Sequence, residues 1–332
     1  MTAAVETMAY SGQVPWHGLG VPVNNDLTVH EMLVAAGLDW TVQKVPTYYR
    51  AVREMRVADP KIRALFGGEK QYEEVEYPTG KYALIRDTDN KILTTVSGSW
   101  EPCQNEEAFT IFEEFVDRNE LEMHTAGSLR NGELVWCLAK MKESFVLFND
   151  DLTEQYLLLV NPHQFGRAIH IRDTPIRVVC NNTLSMALSA DSLISANQSH
   201  RTVFDPEAMK EAIGIATEQM RKYEEAARFL ASRRFNDATL TQFYDEVFPN
   251  MSVVRKNEHS RNAGLALELL DLQPGAEYGR GTWWQAFNTV TYIADHVHGK
   301  TNEARMNSAW FGTNADRKIK ALNLALEYAE AA

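Results

Sequence analysis

The sequence has few cysteines, a shortage of cations and no long apolar run, and each shortage excludes a class of protein. Its three cysteines, Cys103, Cys137 and Cys180, form no CxxC pair, which argues against a disulfide framework and a structural zinc site. Lysine and arginine number 33 against 45 aspartates and glutamates, which argues against a generally basic nucleic-acid-binding surface. No window approaches the roughly 18–20 consecutive apolar residues of a membrane span, and no secretory signal pattern begins the chain. We therefore expect a cytoplasmic protein without a membrane partner.

The spacing of apolar residues changes along the chain. At 332 residues and 45% hydrophobic composition, the chain can bury one large core or two smaller ones. Turn-bounded β-rich runs dominate up to about residue 190, and helical spacing dominates after about residue 203. We predict an α+β fold, in which an antiparallel sheet with packed helices is followed by an all-helical C-terminal domain. The predicted divisions are an N-terminal arm (1–24), the α+β domain (25–202) and the helical domain (203–332).

Strand and turn signals define the predicted body. Residues 40–57 are typical of a long strand, and a charged insertion at 59–80 is interpreted as a loop or hairpin. Arg130-Asn131-Gly132 is a strong signal for a tight turn. The apolar run at 157–160 and the β-branched segment at 168–180 are separated by Asn-Pro, so we predict adjacent strands.

The helical half opens with a clear start signal. Asp205 can cap the helix, and Pro206 suits its first position. The apolar residues that follow alternate spacings of four and three, a seam that suits packing against a helix of this chain or of a neighbouring subunit. The seam consists of Met209, Ile213, Ala216, Met220, Tyr223, Ala227 and Leu230.

Two expected helix starts carry cations near free backbone N–H groups, where an anion can bind. The first follows Cys180, where Asn182 and Thr183 are good capping residues and Arg177 lies just upstream. The second precedes the last helix, whose first turns contain Lys318 and Lys320. Both starts have a simpler interpretation, in which the polar side chains only cap the helices.

A polar and aromatic stripe runs beside the apolar seam of a predicted helix at 283–298. Trp284, Asn288 and Tyr292 lie on this stripe, with Asp295 beyond them. Two interpretations remain open. The stripe is either a buried hydrogen-bond network between helices or a ligand-binding surface.

Common catalytic motifs are missing from the sequence. No P-loop, dinucleotide-binding GxGxxG, HExxH, GxSxG or EF-hand pattern occurs. His163 and His170 bring no clustered carboxylates, and a nucleophilic pair of Cys180 with a histidine has little sequence support. We therefore expect no cofactor or metal, and a non-enzymatic role is favoured over an unrecognised enzyme.

Four sequence segments resemble the phage/plasmid-like protein family, a domain of unknown function common in phages and mobile elements. The matching segments are WHGLG at 16–20, TPIRVVCNNTL at 174–184, NTVTYIADH at 288–296 and SAWFGTNADRKIKAL at 308–322. The chain departs from that family after residue 160. Members usually have a His-Asp-Gly-Ser run at this turn, whereas this chain has His163-Gln164-Phe165-Gly166. The resemblance implies a phage or plasmid origin and no particular activity.

The order of elements in the N-terminal half is similar to that of ring-forming single-strand annealing proteins, an analogy of fold order alone. We therefore hypothesise a phage-encoded protein that binds single-stranded DNA, as a homo-oligomer in the host cytoplasm, with strand annealing or recombination as its context. The alternative is an interaction or inhibitor protein that acts on a host protein. The expected nucleic-acid-binding residues are Arg53, Arg177, Asn182, Trp284, Asn288, Tyr292, Lys318 and Lys320.

Overall fold

The computed structural model describes residues 5–12, 20–54, 61, 72–177, 182–183, 196–250, 259–301, 304–305, 308–309 and 312–331. Its strands, in chain order, are β1 (Val5–Ser11), β2 (Val21–Val23), β3 (Val42–Glu54), β4 (Tyr72–Arg86), β5 (Ile92–Val96), β6 (Leu121–Leu129), β7 (Leu134–Leu147), β8 (Asp151–Pro162), β9 (Ile169–Asp173), β10 (Ile176–Arg177), β11 (Asn182–Thr183) and β12 (Ala196–Gln198). Its α-helices are α1 (Val29–Ala35), α2 (Asn105–Phe109), α3 (Glu113–Asp117), α4 (Pro206–Ser232), α5 (Asp237–Val247), α6 (Arg261–Leu269), α7 (Trp283–Tyr292) and α8 (Thr313–Glu330).

The larger sheet has the strand order β11-β10-β8-β7-β6-β1-β2, and β9 joins β8 beside β10, with β12 on its outer side. All its pairings are antiparallel except β1 with β2, where Ala9 lies opposite Val21. The expected α+β class is confirmed, with this one parallel exception. β1 lies between β6 and β2 although its residues were assigned to an arm, because its alternate side chains pack on both sides of the sheet. The domain divisions themselves stay a prediction.

Local turn chemistry sets the register of the sheet. Arg130, Asn131 and Gly132 have φ angles of 55°, 60° and 90°, the left-handed backbone that a tight β6–β7 connection requires. The predicted adjacency of the two central strands is confirmed, since Leu159 of β8 pairs with Ile171 of β9. The turn between β6 and β7 thereby lies beside the turn between β8 and β9, where the backbone N–H of His163 donates to the carbonyl of Glu133 at 2.8 Å.

The smaller sheet has the order β3-β4-β5. β5 pairs with β4 only over residues 82–85, so the outer parts of β3 and β4 form a two-stranded extension. Residues 72–80 of the expected insertion belong to β4, so this part of the insertion is a strand.

The helical half begins as predicted, because the Asp205 carboxylate accepts from the backbone N–H groups of Glu207 and Ala208. The described seam residues of α4 are buried within this chain. Met209 and Met220 join the core on one face of the larger sheet, while Tyr223, Ala227 and Leu230 join a second core among the helices. Among the described helices, none has the length and apolar character needed to cross a membrane.

Candidate anion-binding cluster

The polar stripe predicted on α7 lies inside the fold. The indole Nε1 of Trp284 donates to the Asp151 carboxylate at 2.9 Å, and both side chains are buried. The buried side-chain amide of Asn288 donates to the Trp284 carbonyl at 2.8 Å. Of the two interpretations left open by the sequence, these contacts favour the buried hydrogen-bond network.

Lys318 belongs to the same buried network. Its ammonium nitrogen lies 2.6 Å from a carboxylate oxygen of Asp295, and both side chains are 0% exposed. Asp295 lies in a π-helical turn, Ile293–Val297, that continues α7. Burial lowers the pKa of Lys318, and the Asp295 carboxylate opposes that shift. The expectation that Lys318 lines an open groove is therefore wrong for this structure, because its charge is sealed in the core.

The other expected contact residues are scattered. Tyr292 is half-buried, with its ring 4.9 Å from that of His296. Lys320 is exposed and donates to the backbone carbonyl of Glu246. Arg53 is exposed and paired with Glu73 at 2.6 Å. Because the stripe on α7 is buried, these residues do not form one surface with it.

The first expected helix, after Asn182 and Thr183, lies outside the described residues. Asn182 and Thr183 themselves form β11, which pairs with β10 so that Arg177 lies opposite Asn182. The side chains of Arg177 and Asn182 lie outside the described residues, so their roles stay predictions. The second start is real, and the N-cap residue of α8 is Gly312.

A different group of basic side chains lies where the β6–β7 and β8–β9 turns meet. We call Arg130, Arg167, His170 and Arg172 the basic cluster; all four side chains are half-buried. His170 and Arg172 are on β9 and point to the same face of the sheet, since their positions differ by two. Arg167 leads into β9, and Arg130 approaches the same turn, with a guanidinium nitrogen 3.4 Å from the Gln164 side-chain oxygen. The sheet topology thus gathers cations from two separate turns.

Burial outweighs the nearby negative charge at the arginines of the cluster. Burial, with a smaller effect from the Arg130 charge, lowers the pKa of Arg167, although Glu133 opposes the shift. Burial lowers the pKa of Arg172 to about 10, although Asp316 in the first turn of α8 opposes the shift. Burial and the two neighbouring arginines also lower the pKa of His170 to about 3, so this imidazole is neutral. Cations that lose water while the nearby carboxylates stay beyond ion-pair distance favour a bound anion.

Hydrogen bonding supports the same conclusion for Arg172. Among the described residues, its buried Nε atom has no hydrogen-bond partner. The neutral His170 imidazole donates from Nδ1 to the Ala168 carbonyl at 3.0 Å, so its Nε2 atom carries a lone pair and offers an anion no donor. Across the described part of the chain, no carboxylate lies within ion-pair distance of Arg167 or Arg172. By contrast, Arg86 holds both Glu6 and Asp89 at 2.8 and 2.6 Å. An anion with several oxygens would satisfy the donor left open on Arg172.

An aromatic side chain stands beside these cations. Phe165 is 56% exposed, and Gly166 next to it has a φ of 83°, the left-handed conformation that lets the chain turn sharply into Arg167. An exposed aromatic ring next to arginines can stack on a nucleobase while the cations hold phosphate.

The sequence contained a weak signal for this cluster. Arg167, His170 and Arg172 fall within six residues of a chain that is otherwise acidic, directly after the turn that departs from the phage/plasmid-like pattern. What the sequence could not supply is Arg130, which the pairing of β7 with β8 brings to the same turn.

The cluster contains no arrangement typical of a metal site. Within the described ranges, no group of three or more histidines, cysteines, aspartates or glutamates could hold a metal ion. Cys103 and Cys137 are buried, and burial raises the pKa of both thiols, which makes them poor nucleophiles.

Comparison with known proteins identifies one matching family. Residues 92–311 match the model of DUF932, a domain of unknown function. This match confirms the domain of unknown function that the sequence resemblance implied. The match spans the basic cluster and α7, and it ends before Lys318 and α8. No curated protein and no solved structure matches the chain.

Proposed function

Since the chain belongs to the DUF932 family, whose description assigns no activity, we propose from its own residues that it binds the phosphate backbone of single-stranded nucleic acid at the basic cluster. One observation carries the proposal. Arg167 and Arg172 are half-buried cations for which the described residues supply no carboxylate at ion-pair distance. Phosphate oxygens are the anions that arginine holds best, through two parallel hydrogen bonds.

Charge argues for a single strand rather than a duplex. A net charge of −12 repels a long, stiff polyanion, so a duplex would bring many phosphates close to acidic surface. A flexible single strand can present a few phosphates to one small patch. Its unstacked bases are also free to stack on the exposed ring of Phe165.

The finer parts of the proposal concern origin and context. We include a phage or mobile-element origin, a location in the host cytoplasm, and a role in strand annealing or recombination. The origin is supported by the WHGLG and SAWFGTNADRKIKAL segments. The annealing role is supported by the order of elements in the N-terminal half. Strand annealing is checked by mixing complementary labelled strands with the protein and following duplex formation.

A second candidate function is a non-enzymatic interaction or inhibitor protein that acts on a host protein. The specific observation in its favour is the acidic surplus of 45 carboxylates over 33 cations, which resembles the charge of a protein that competes for a basic site. This candidate requires no contact between nucleic acid and the basic cluster, and the two functions are therefore separable.

The deciding experiment measures how salt affects binding of a labelled single-stranded oligonucleotide, by fluorescence anisotropy. Arg167→Ala should weaken binding and flatten the slope of log K against log salt by roughly 0.7, the value for one phosphate contact with a single strand. Phe165→Ala should weaken binding by about 1–3 kcal/mol and leave the slope unchanged, because stacking releases no counterions.

The matched control is Arg228→Ala. Arg228 is an exposed arginine on α4 that pairs with Glu224 at 2.7 Å, so its loss removes the same charge from a residue outside the cluster. The control should bind like the wild type. Equal binding by wild type, Arg167→Ala and Arg172→Ala would refute the proposal and favour the interaction protein.

A further inference from the structure

The two-stranded extension of the smaller sheet has open edges. We call residues 48–54 of β3 and 72–78 of β4 the ribbon; they pair from Tyr48 opposite Pro78 to Glu54 opposite Tyr72. In the described part of the chain, no third strand pairs with either outer edge of the ribbon. An isolated hairpin is marginally stable in water, and unpaired edges are templates for another strand. The ribbon therefore has the geometry of an interface.

The side chains of the ribbon are unusually apolar for a solvated extension. Tyr48 is 56% exposed, Tyr49 54%, Val52 66% and Tyr72 60%. The ring of Tyr49 stacks on that of Tyr77 at 5.5 Å, which makes part of one face continuous and aromatic. Such a concentration of exposed aromatic and β-branched side chains marks a contact surface.

The charges of the two ribbon strands have opposite character. β3 contributes Arg50 and Arg53, which pair across the ribbon with Glu76 at 3.0 Å and with Glu73 at 2.6 Å. β4 carries a third carboxylate, Glu74, which lies opposite Val52 and so has no cation directly across the ribbon. The edge formed by β4 is therefore acidic, whereas the edge formed by β3 holds both arginines of the ribbon and one carboxylate, Glu54, at its end.

This asymmetry selects one kind of pairing. Two β3 edges brought together would place arginines against arginines, and two β4 edges would place glutamates against glutamates. Like charges on neighbouring strands destabilise a sheet, and opposite charges stabilise it. The β3 edge of one copy against the β4 edge of the next is the arrangement that gains attraction.

We propose that the ribbon joins copies of this chain head to tail, with β3 of one copy paired along β4 of the next. This contact uses different surfaces on its two sides, so it produces a closed ring or an open filament rather than a twofold dimer. The partner is a second copy because the ribbon supplies both complementary edges itself. The contact lies on a different sheet from the basic cluster and is independent of nucleic-acid binding.

The test uses complementary charge changes in the full chain, with mass measured by light scattering after size exclusion. The double variant Arg50→Glu with Arg53→Glu has two acidic edges. In the double variant Glu74→Lys with Glu76→Lys, cations outnumber carboxylates on both edges. For each double variant alone, the protein concentration at which half of the chains are assembled should rise by at least about tenfold. An equimolar mixture should regain assembly, because acidic and basic edges then alternate.

The matched control is Arg221→Glu with Arg228→Glu, two exposed positions on α4, which makes the same charge change outside the ribbon. This control should assemble like the wild type. Circular dichroism establishes that each variant is folded.

Three outcomes overturn the proposal: a monomeric wild type at micromolar concentration, a wild type that stops at a dimer, or folded variants whose mixture stays dissociated. If the arginine variant keeps its mass but loses single-strand binding, the ribbon contacts nucleic acid instead. Arg172→Ala should assemble normally, which separates this contact from the proposed function.

Discussion

The buried stripe between α7 and α8 and the basic cluster at the β8–β9 turn both hold charge away from water, but only the stripe neutralises it. In the stripe, Lys318 meets Asp295, and Trp284 meets Asp151. In the cluster, Arg172 has a buried Nε atom without a hydrogen-bond partner among the described residues. A charged group whose partner comes from the fold contributes to structure, while a desolvated charge whose partner is missing points to a ligand. The difference separates the structural from the functional candidates.

The largest expected effect on stability concerns the buried ion pair of Lys318 with Asp295. Lys318→Met should lower the free energy of unfolding by about 3–5 kcal/mol, because it leaves the Asp295 carboxylate buried without its cation. The double variant Lys318→Met with Asp295→Asn should recover much of that loss, since no buried charge remains. Urea denaturation of both variants measures the coupling. A loss below about 1 kcal/mol for the single variant would show that the stripe is accessible to water and would weaken the comparison.

Sequence reasoning succeeded where local chemistry decides the structure. The Arg130-Asn131-Gly132 turn and the Asp205 cap follow from backbone preferences of a few residues. It failed where packing decides. Nothing local shows that Lys318 would be drawn into the core by Asp295, because that pair joins two helices brought together by packing.

The candidate site was missed for a related reason. Asn182 and Thr183 were expected to cap a helix, and the pairing of Asn182 opposite Arg177 was not anticipated, because it joins two segments without a local signal. The basic cluster depends on the adjacency of two turns, which the register of β7 with β8 determines. Patterns within one segment cannot reveal which turns will lie side by side.

A smaller effect on stability is expected from the buried hydrogen bond between Trp284 and Asp151. Trp284→Phe removes the indole donor to the buried Asp151 carboxylate, whereas Trp283→Phe removes a buried indole nitrogen for which the described residues provide no hydrogen-bond partner. Both variants lose similar apolar area, so the difference between them reports the hydrogen bond. Trp284→Phe should be less stable than Trp283→Phe by about 1–3 kcal/mol in urea denaturation. Equal stability would mean that Asp151 does not depend on this donor.

The smallest effect on stability is expected where the charge is left open. Arg172→Ala should change the free energy of unfolding by no more than about 0.5 kcal/mol, since the side chain gives up no ion pair with the described residues and its desolvated charge disappears. The response to an anionic ligand should distinguish Arg172 from the residues of the stripe. Inorganic phosphate should raise the melting temperature of the wild type, because an anion that binds only the folded state stabilises it by mass action.

That increase should vanish in Arg172→Ala and persist in Arg228→Ala, with sodium chloride at equal ionic strength as the reference. Thermal melts at rising phosphate concentration measure both responses. If the wild type and Arg172→Ala respond equally to phosphate, the open donors of the cluster do not bind anions, and the contrast with the buried stripe has no functional meaning.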